Sequence, residues 1–102
     1  MEQKQLYLFS GYVDVCGVAY KIKEILPCSR NDTFMGRCDL ALAEITINTQ
    51  MPIEQKKTTE IHEWLHAVLG ASGLPNEEAV VSVLANELYR QGFTLKKRKE
   101  KK

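Results

Sequence analysis

Cysteine is sparse in this chain, and what there is suits neither cross-linking nor structural metal binding. Cys16, Cys28 and Cys38 make three in 102 residues. An odd number at irregular spacing argues against a disulfide framework. None belongs to a C-x-x-C pair of the kind structural zinc sites use, so free thiols in a reducing compartment are expected. Long apolar runs are missing too: nothing approaches the roughly 20 residues needed to span a bilayer. The polar start Met1-Glu2-Gln3-Lys4-Gln5 does not read as a secretory signal, and a cytoplasmic location is the expectation. Net charge is almost absent at +1, so no global field draws the chain to anionic membrane or nucleic acid. Neither is the expected partner. The lysine-rich stretch 96–102 is expected to be a solvated, disordered basic tail. At this length one small domain over residues 1–95, with one modest core, is expected.

Histidine is scarcer still, with two residues, and both fall in His62-Glu63-Trp64-Leu65-His66. The stretch reads H-E-x-x-H. On a helix, residues four apart stack on one face, so each imidazole can aim one nitrogen at a single tetrahedral metal, with zinc the expected ion. Glu63, one step round, stands where a general base would take a proton from water on that metal. The plain alternative is a surface helix carrying two solvated histidines. Catalytic zinc usually takes three protein ligands and a water. With no third histidine, a carboxylate must complete the set. Glu77 and Glu78 open the next helix and are the leading candidates, although both also suit a helix N-terminus on dipole grounds alone. Glu60 precedes the motif on its own helix, and Glu87 lies more than two turns along the next, so both compete less well.

Around the motif the pattern predicts a small α+β domain. Residues 6–9 and 12–15 form a strand kinked at Ser10-Gly11, and residues 18–23 a second strand after a hairpin at Gly17. Pro27 stops this element, and residues 28–33 are turn-rich and polar. Glu44-Ile45-Thr46-Ile47-Asn48 alternates as a third strand. The motif helix starts at Pro52 or at Thr58 and carries Ile61, Leu65, Val68 and Leu69 as an apolar stripe. Trp64 lies on the other side of that stripe. Gly70 and Gly73 end the helix, and Asn76 is a good N-cap for the next. The second helix, residues 79–89, presents Val80, Val81, Leu84 and Leu88 and packs back antiparallel. About three antiparallel strands followed by two helices are expected.

The helix pair resembles the ImmA/IrrE metallopeptidase family. The residues that carry this are Thr59-Glu60-Ile61-His62-Glu63-Trp64-Leu65-His66-Ala67-Val68-Leu69 and Glu78-Ala79-Val80-Val81-Ser82-Val83-Leu84-Ala85-Asn86-Glu87-Leu88-Tyr89. The short members common in phages and prophages are the most similar, and the likeness extends over about residues 10–92. It implies a zincin-like fold and a gluzincin-type site: zinc held by His62, His66 and a glutamate opening the second helix, with Glu63 as base. Aligning Leu84-Ala85 with the family's Phe-Ala step puts that glutamate at Glu78. A helical wheel, by contrast, places Glu77 nearer the apolar stripe, which leaves Glu77 in reserve. The chain departs from longer members in lacking their Leu-Met-Pro ending and in carrying Trp64. Those members act on repressor proteins of mobile elements, so the resemblance implies a protein or peptide substrate. The expected activity is zinc-dependent peptide hydrolysis, with Tyr12, Tyr20 or Tyr89 as donor to the oxyanion. The alternative is a non-enzymatic zinc-containing module that docks a phage or host protein.

Overall fold

Alternation turns one face of each strand inward. In the computed structural model, which describes residues 7–26 and 35–101, β1 (Tyr7–Val15) buries Val13 and Val15, and β2 (Val18–Ile25) buries Tyr20 and Ile22. The two pair antiparallel through the turn Cys16-Gly17, where φ is 50° and 88°. Two positive φ values in a two-residue turn match the twist of the strands. The register slips between Phe9 and Gly11; a bulge therefore stands at the expected kink.

The next strand is one that the sequence pattern does not announce. β3 (Gly36–Asp39) is four residues long, Gly-Arg-Cys-Asp, with no run of apolar residues. β4 (Glu44–Asn48) has the bounds expected for the third strand. The sheet is four-stranded and mixed, ordered β1-β2-β4-β3, which corrects the expectation of about three antiparallel strands. β4 runs parallel to β2 and antiparallel to β3. The cause is burial. Ile45 and Ile47 of β4 are fully buried, so β4 takes the middle of the sheet and the more polar β3 takes its edge. β3 runs down the far side, and β4 returns between it and β2. The turn joining them is held by Asp39 Oδ1, which accepts the Leu42 N–H at 3.0 Å, and by a left-handed Ala43 at φ 54°. The expected loop at 28–33 and the strand start at Leu6 lie outside the described residues.

α1 (Ile53–Ala71) begins directly after Pro52, the earlier of the two expected starts, where the fixed φ of proline suits a helix entry. It lies across one face of the sheet. Ile61 and Ala67 are buried with Thr59, Glu60 and Glu63, while Leu65, Val68 and Leu69 are half-buried. The expected stripe is thus shifted toward polar residues, because Glu60 and Glu63 have been given places inside. Trp64 ties α1 to β1: its Nε1 donates to the Asp14 carbonyl at 3.0 Å, and its ring lies 5.6 Å from that of Phe93.

α2 (Glu78–Arg90) packs on α1 alone among these elements. Its buried line is narrow, Val81 and Ala85, and the expected stripe residues Val80 and Leu84 stay 49% and 44% exposed. Among the described residues no helix is long and apolar enough to cross a membrane.

The charged end is placed against the sheet, where disorder was expected from Lys96 onward. Leu95 belongs to the core cluster with Val13, Ile22 and Ile45. Arg98 and Tyr12 exchange both backbone hydrogen bonds, at 2.7 and 2.9 Å, which covers part of the open edge of β1. Lys97 Nζ reaches Glu60 Oε2 and Ser10 Oγ, each at 3.0 Å. Glu60 is 8% exposed, and a carboxylate that deep needs such a cation. Composition alone suggested a solvated tail; one buried acid and one open strand edge outweigh it.

Gly11 makes this docking sterically possible. It has φ +131°, and an added Cβ would lie 3.2 Å from both the Arg98 carbonyl oxygen and Lys97 Cβ. Gly11→Ala should therefore destabilise the fold by about 1–2 kcal/mol, roughly 5–10 °C in Tm. Thermal melting checks this, with the exposed Lys99→Ala as a control. Equal melting of both variants would show that the docking is dispensable.

Candidate metal centre

The four-residue spacing brings the two imidazoles of α1 together. His62 and His66 rings stand 4.8 Å apart between centres, tilted by 63°, with their Nε2 atoms 3.2 Å apart. The first residue of α2 completes the group. Glu78 Oε1 is 2.8 Å from His66 Nε2, and Glu78 Oε2 is 2.8 Å from His62 Nε2. The three residues present ligand atoms all within 4.8 Å of one another. The imidazoles are largely covered, whereas the Glu78 side chain is 72% exposed, so the cluster is open on one side.

This donor set suits zinc. Tetrahedral coordination with bonds of about 2.0 Å separates ligand atoms by about 3.3 Å. The observed 2.8–3.2 Å needs side-chain adjustments of only a few tenths of an ångström. Two neutral imidazoles and a carboxylate are also the ligand types that catalytic zinc takes.

The backbone determines which of Glu77 and Glu78 stands beside the two imidazoles. Glu77 is the N-cap residue, extended at φ −82° and ψ 133°, and α2 begins at Glu78. The wheel that favoured Glu77 assumed helical geometry one residue too early. Within α2, Glu78 stands three residues before buried Val81 and so faces α1.

Asn76 has a role that its sequence position does not suggest. Its Nδ2 donates to the His66 carbonyl at 3.2 Å, which orients the amide and leaves Oδ1 to meet His66 Nδ1 at 2.6 Å. An amide oxygen only accepts, so Nδ1 donates its proton there, and Nε2 is the nitrogen turned toward Glu78 and His62. The expected N-cap is thus an orienting clamp. The only signal in the sequence is a short polar side chain between two helices, which caps many helices and marks no site.

Glu63 is buried, at 8% exposure, beside the cluster. Gly36 of β3 makes room for it: a Cβ there would lie 2.8 Å from Thr59 Cγ2 and 3.1 Å from Glu63 Cγ. Burial, opposed by His66 and reinforced by the Glu78 charge, pushes the Glu63 carboxyl up to about 7. Burial also lowers the His62 pKa against the pull of Glu78, and the neighbouring His66 adds to that lowering. Glu78 behaves oppositely. Its slight burial would raise its pKa, but the hydrogen bond with His66 and the adjacent His62 more than offset this and hold it below the usual range.

A cleft of about 650 Å³ runs from the cluster between the N-terminal half of α1 and the length of α2, within the size range of ligand sites. Glu54, Gln55 and Thr58 line one wall, and Ser82, Asn86 and Tyr89 the other. The α2 residues continue the face of Glu78 at helical spacing. That spacing makes them legible once Glu78 is placed, and not before. Of the three candidate tyrosines, Tyr89 reaches the cleft; Tyr20 is buried in the core and Tyr12 lies on β1, away from it. Cys16 and Cys38 are free thiols. Burial, with the charges of Glu63 and Asp39, pushes Cys38 up to about 11, which disfavours its thiolate near neutral pH.

No protein-family model, curated protein or solved structure matches the chain.

Two outcomes follow from this geometry. Asn76→Ala should lower zinc affinity roughly 10- to 100-fold without unfolding the chain, as measured by competition with a chromophoric chelator. Unchanged affinity would remove the clamp. The second concerns protein stripped of metal with chelator. A carboxyl whose folded pKa is about 7 against an ordinary 4.5 makes the fold less stable as pH rises through that window. Glu63→Gln should then melt higher than the native chain at pH above the window, by roughly 5 °C, with the gain vanishing below it. A pH-independent difference would mean Glu63 is not held up by burial.

Proposed function

We propose that the chain is a zinc-dependent metallopeptidase of the ImmA/IrrE type that its helix pair resembles, a small zincin-like domain hydrolysing peptide bonds of a protein substrate. The observation that carries this reading is the convergence of His62 Nε2, His66 Nε2 and the Glu78 carboxylate beside a buried Glu63. His62, His66 and Glu78 would hold the ion. Zinc, when bound, supplies Lewis acidity, acidifying a water and polarising a peptide carbonyl.

The remaining chemistry belongs to the chain. The Glu63 carboxylate takes a proton from the attacking water and delivers it to the leaving nitrogen. Burial beside the cluster raises the proton affinity of Glu63, which favours its acceptance of that proton. Asn76 holds the His66 ring in register. Tyr89, on the cleft wall, offers a hydroxyl to the developing oxyanion. The cleft orients an extended segment of substrate, and its polar walls hydrogen-bond peptide groups. A repressor protein of a mobile element is the substrate class that the resemblance implies.

The test pairs metal content with cleavage. Native protein and Glu63→Gln should each bind one zinc per chain by elemental analysis, and His62→Ala should lose it. Cleavage of a denatured-protein or peptide-library substrate should fall at least about 100-fold in Glu63→Gln. If Glu63→Gln and the native chain cleave equally, Glu63 is not the base; if neither cleaves while zinc is retained, the domain holds metal without catalysis.

A further inference from the structure

The sheet face turned away from the helices carries a second constellation. Phe9 pairs across the hairpin with Lys23, and Tyr12 with Lys21. Directly paired residues share a face, so these four point outward, opposite to buried Val13, Tyr20 and Ile22. The rings of Phe9 and Tyr12 meet edge to face, 5.1 Å apart. Tyr7 joins them. Lys23 Nζ stands 5.0 Å and Lys21 Nζ 5.6 Å from its ring centre, and Lys21 Nζ lies 6.0 Å from that of Phe9. Tyr7 and Phe9 remain 52% and 46% exposed, so part of each ring faces solvent.

Positive charge surrounds the rings. On one side Lys21 has no carboxylate within ion-pair distance among the described residues, while Lys23 is shared with Glu44 at 2.9 Å. On the other, the Tyr12–Arg98 bridge lays a basic segment along β1. Arg98 is paired with Asp14 at 2.9 Å, but Lys96, Lys99 and Lys101 carry no ion pair among the described residues. The net charge of +1 conceals this local excess, because Glu54, Glu63 and Glu78 line the cleft instead.

We infer that this face binds single-stranded nucleic acid, with bases stacking on Tyr7 and Phe9 and phosphates lying between Lys21 and the basic segment. Half-exposed rings beside lysines that have no ion pair among the described residues form a stacking platform within an electrostatic track. An acidic polypeptide would satisfy the lysines but leave the rings unused, and a duplex hides the faces of its bases. The site is on the opposite side of the sheet from the metal centre and stands independently of the peptidase reading.

Fluorescence anisotropy with a labelled oligothymidylate of about twelve nucleotides tests it on the full chain. Binding should saturate at about 50 mM salt and weaken with a log–log salt slope near −2 to −3, as for three or four phosphates. Tyr7→Leu and Phe9→Leu keep strand-compatible apolar side chains while removing the rings. Each should weaken binding roughly tenfold with the slope unchanged. Lys21→Gln should make the slope shallower by about 0.7. Absence of binding at low salt overturns the inference. So does loss of binding only in the triple Lys96, Lys99 and Lys101→Gln variant with the ring variants normal, which would assign it to the basic segment alone. Equal affinity for a duplex of the same length would reduce the face to a charge effect. Self-association through these rings, seen by sedimentation with no oligonucleotide bound, would make it a protein contact.

Discussion

The strand β3 meets α1 at Gly36, where an added methyl carbon would fall 2.8 Å from Thr59 and 3.1 Å from Glu63. That contact sets the height of the helix over the sheet edge. A larger residue would lift α1 at the turn that carries Glu63, and His62 and His66 ride on the same rigid cylinder. The position of Glu78 depends on it in turn, since α2 packs on α1 and on none of the strands. One missing side chain at an edge strand thus governs the four side chains of the candidate site, which are distant from it in sequence.

Two of those four are glutamates, and their surroundings drive them apart. Glu63 is enclosed and its carboxyl rises to about 7; Glu78 is exposed, touches two imidazoles and sits below its ordinary range. In the proposed chemistry these chemically identical groups would take different tasks, one exchanging a proton and one staying anionic. The same α1 surface buries a third acid, Glu60, but supplies it with Lys97 at 3.0 Å. Where a lysine is provided the acid is structural. Among the described residues Glu63 has no such cation.

What could be read from residues alone was whatever depends on local spacing. The i, i+4 histidines, Glu63 beside them, the hairpin around Gly17 and the β4 alternation all express geometry within a few residues. Which of Glu77 and Glu78 lies beside the histidines was not legible in the residues, because it turns on where a helix begins, a boundary that shifts by one residue with tertiary context. β3 was illegible because Gly-Arg-Cys-Asp has no pattern of its own: its strand character comes from pairing with β4. The parallel β2–β4 pairing followed from that missing strand. The narrow contact of α2 left Val80 and Leu84 outside, although they repeat at the spacing of a buried face. Charge composition misled most at the basic end, where one buried glutamate and one strand edge hold residues that look solvated.

The clasp between that basic segment and β1 also bears on how the chain acquires its fold. The contacts Asp14–Arg98 and Ser10–Lys97 join residues 84 and 87 positions apart, whereas the β1–β2 hairpin closes over a two-residue turn. Loop closure makes the long-range contacts late events. During synthesis the first strand must therefore wait with an open edge, and Glu60 without its cation, until residue 98 has left the ribosome. The interval before that is when the nascent chain is most exposed to strand-to-strand association.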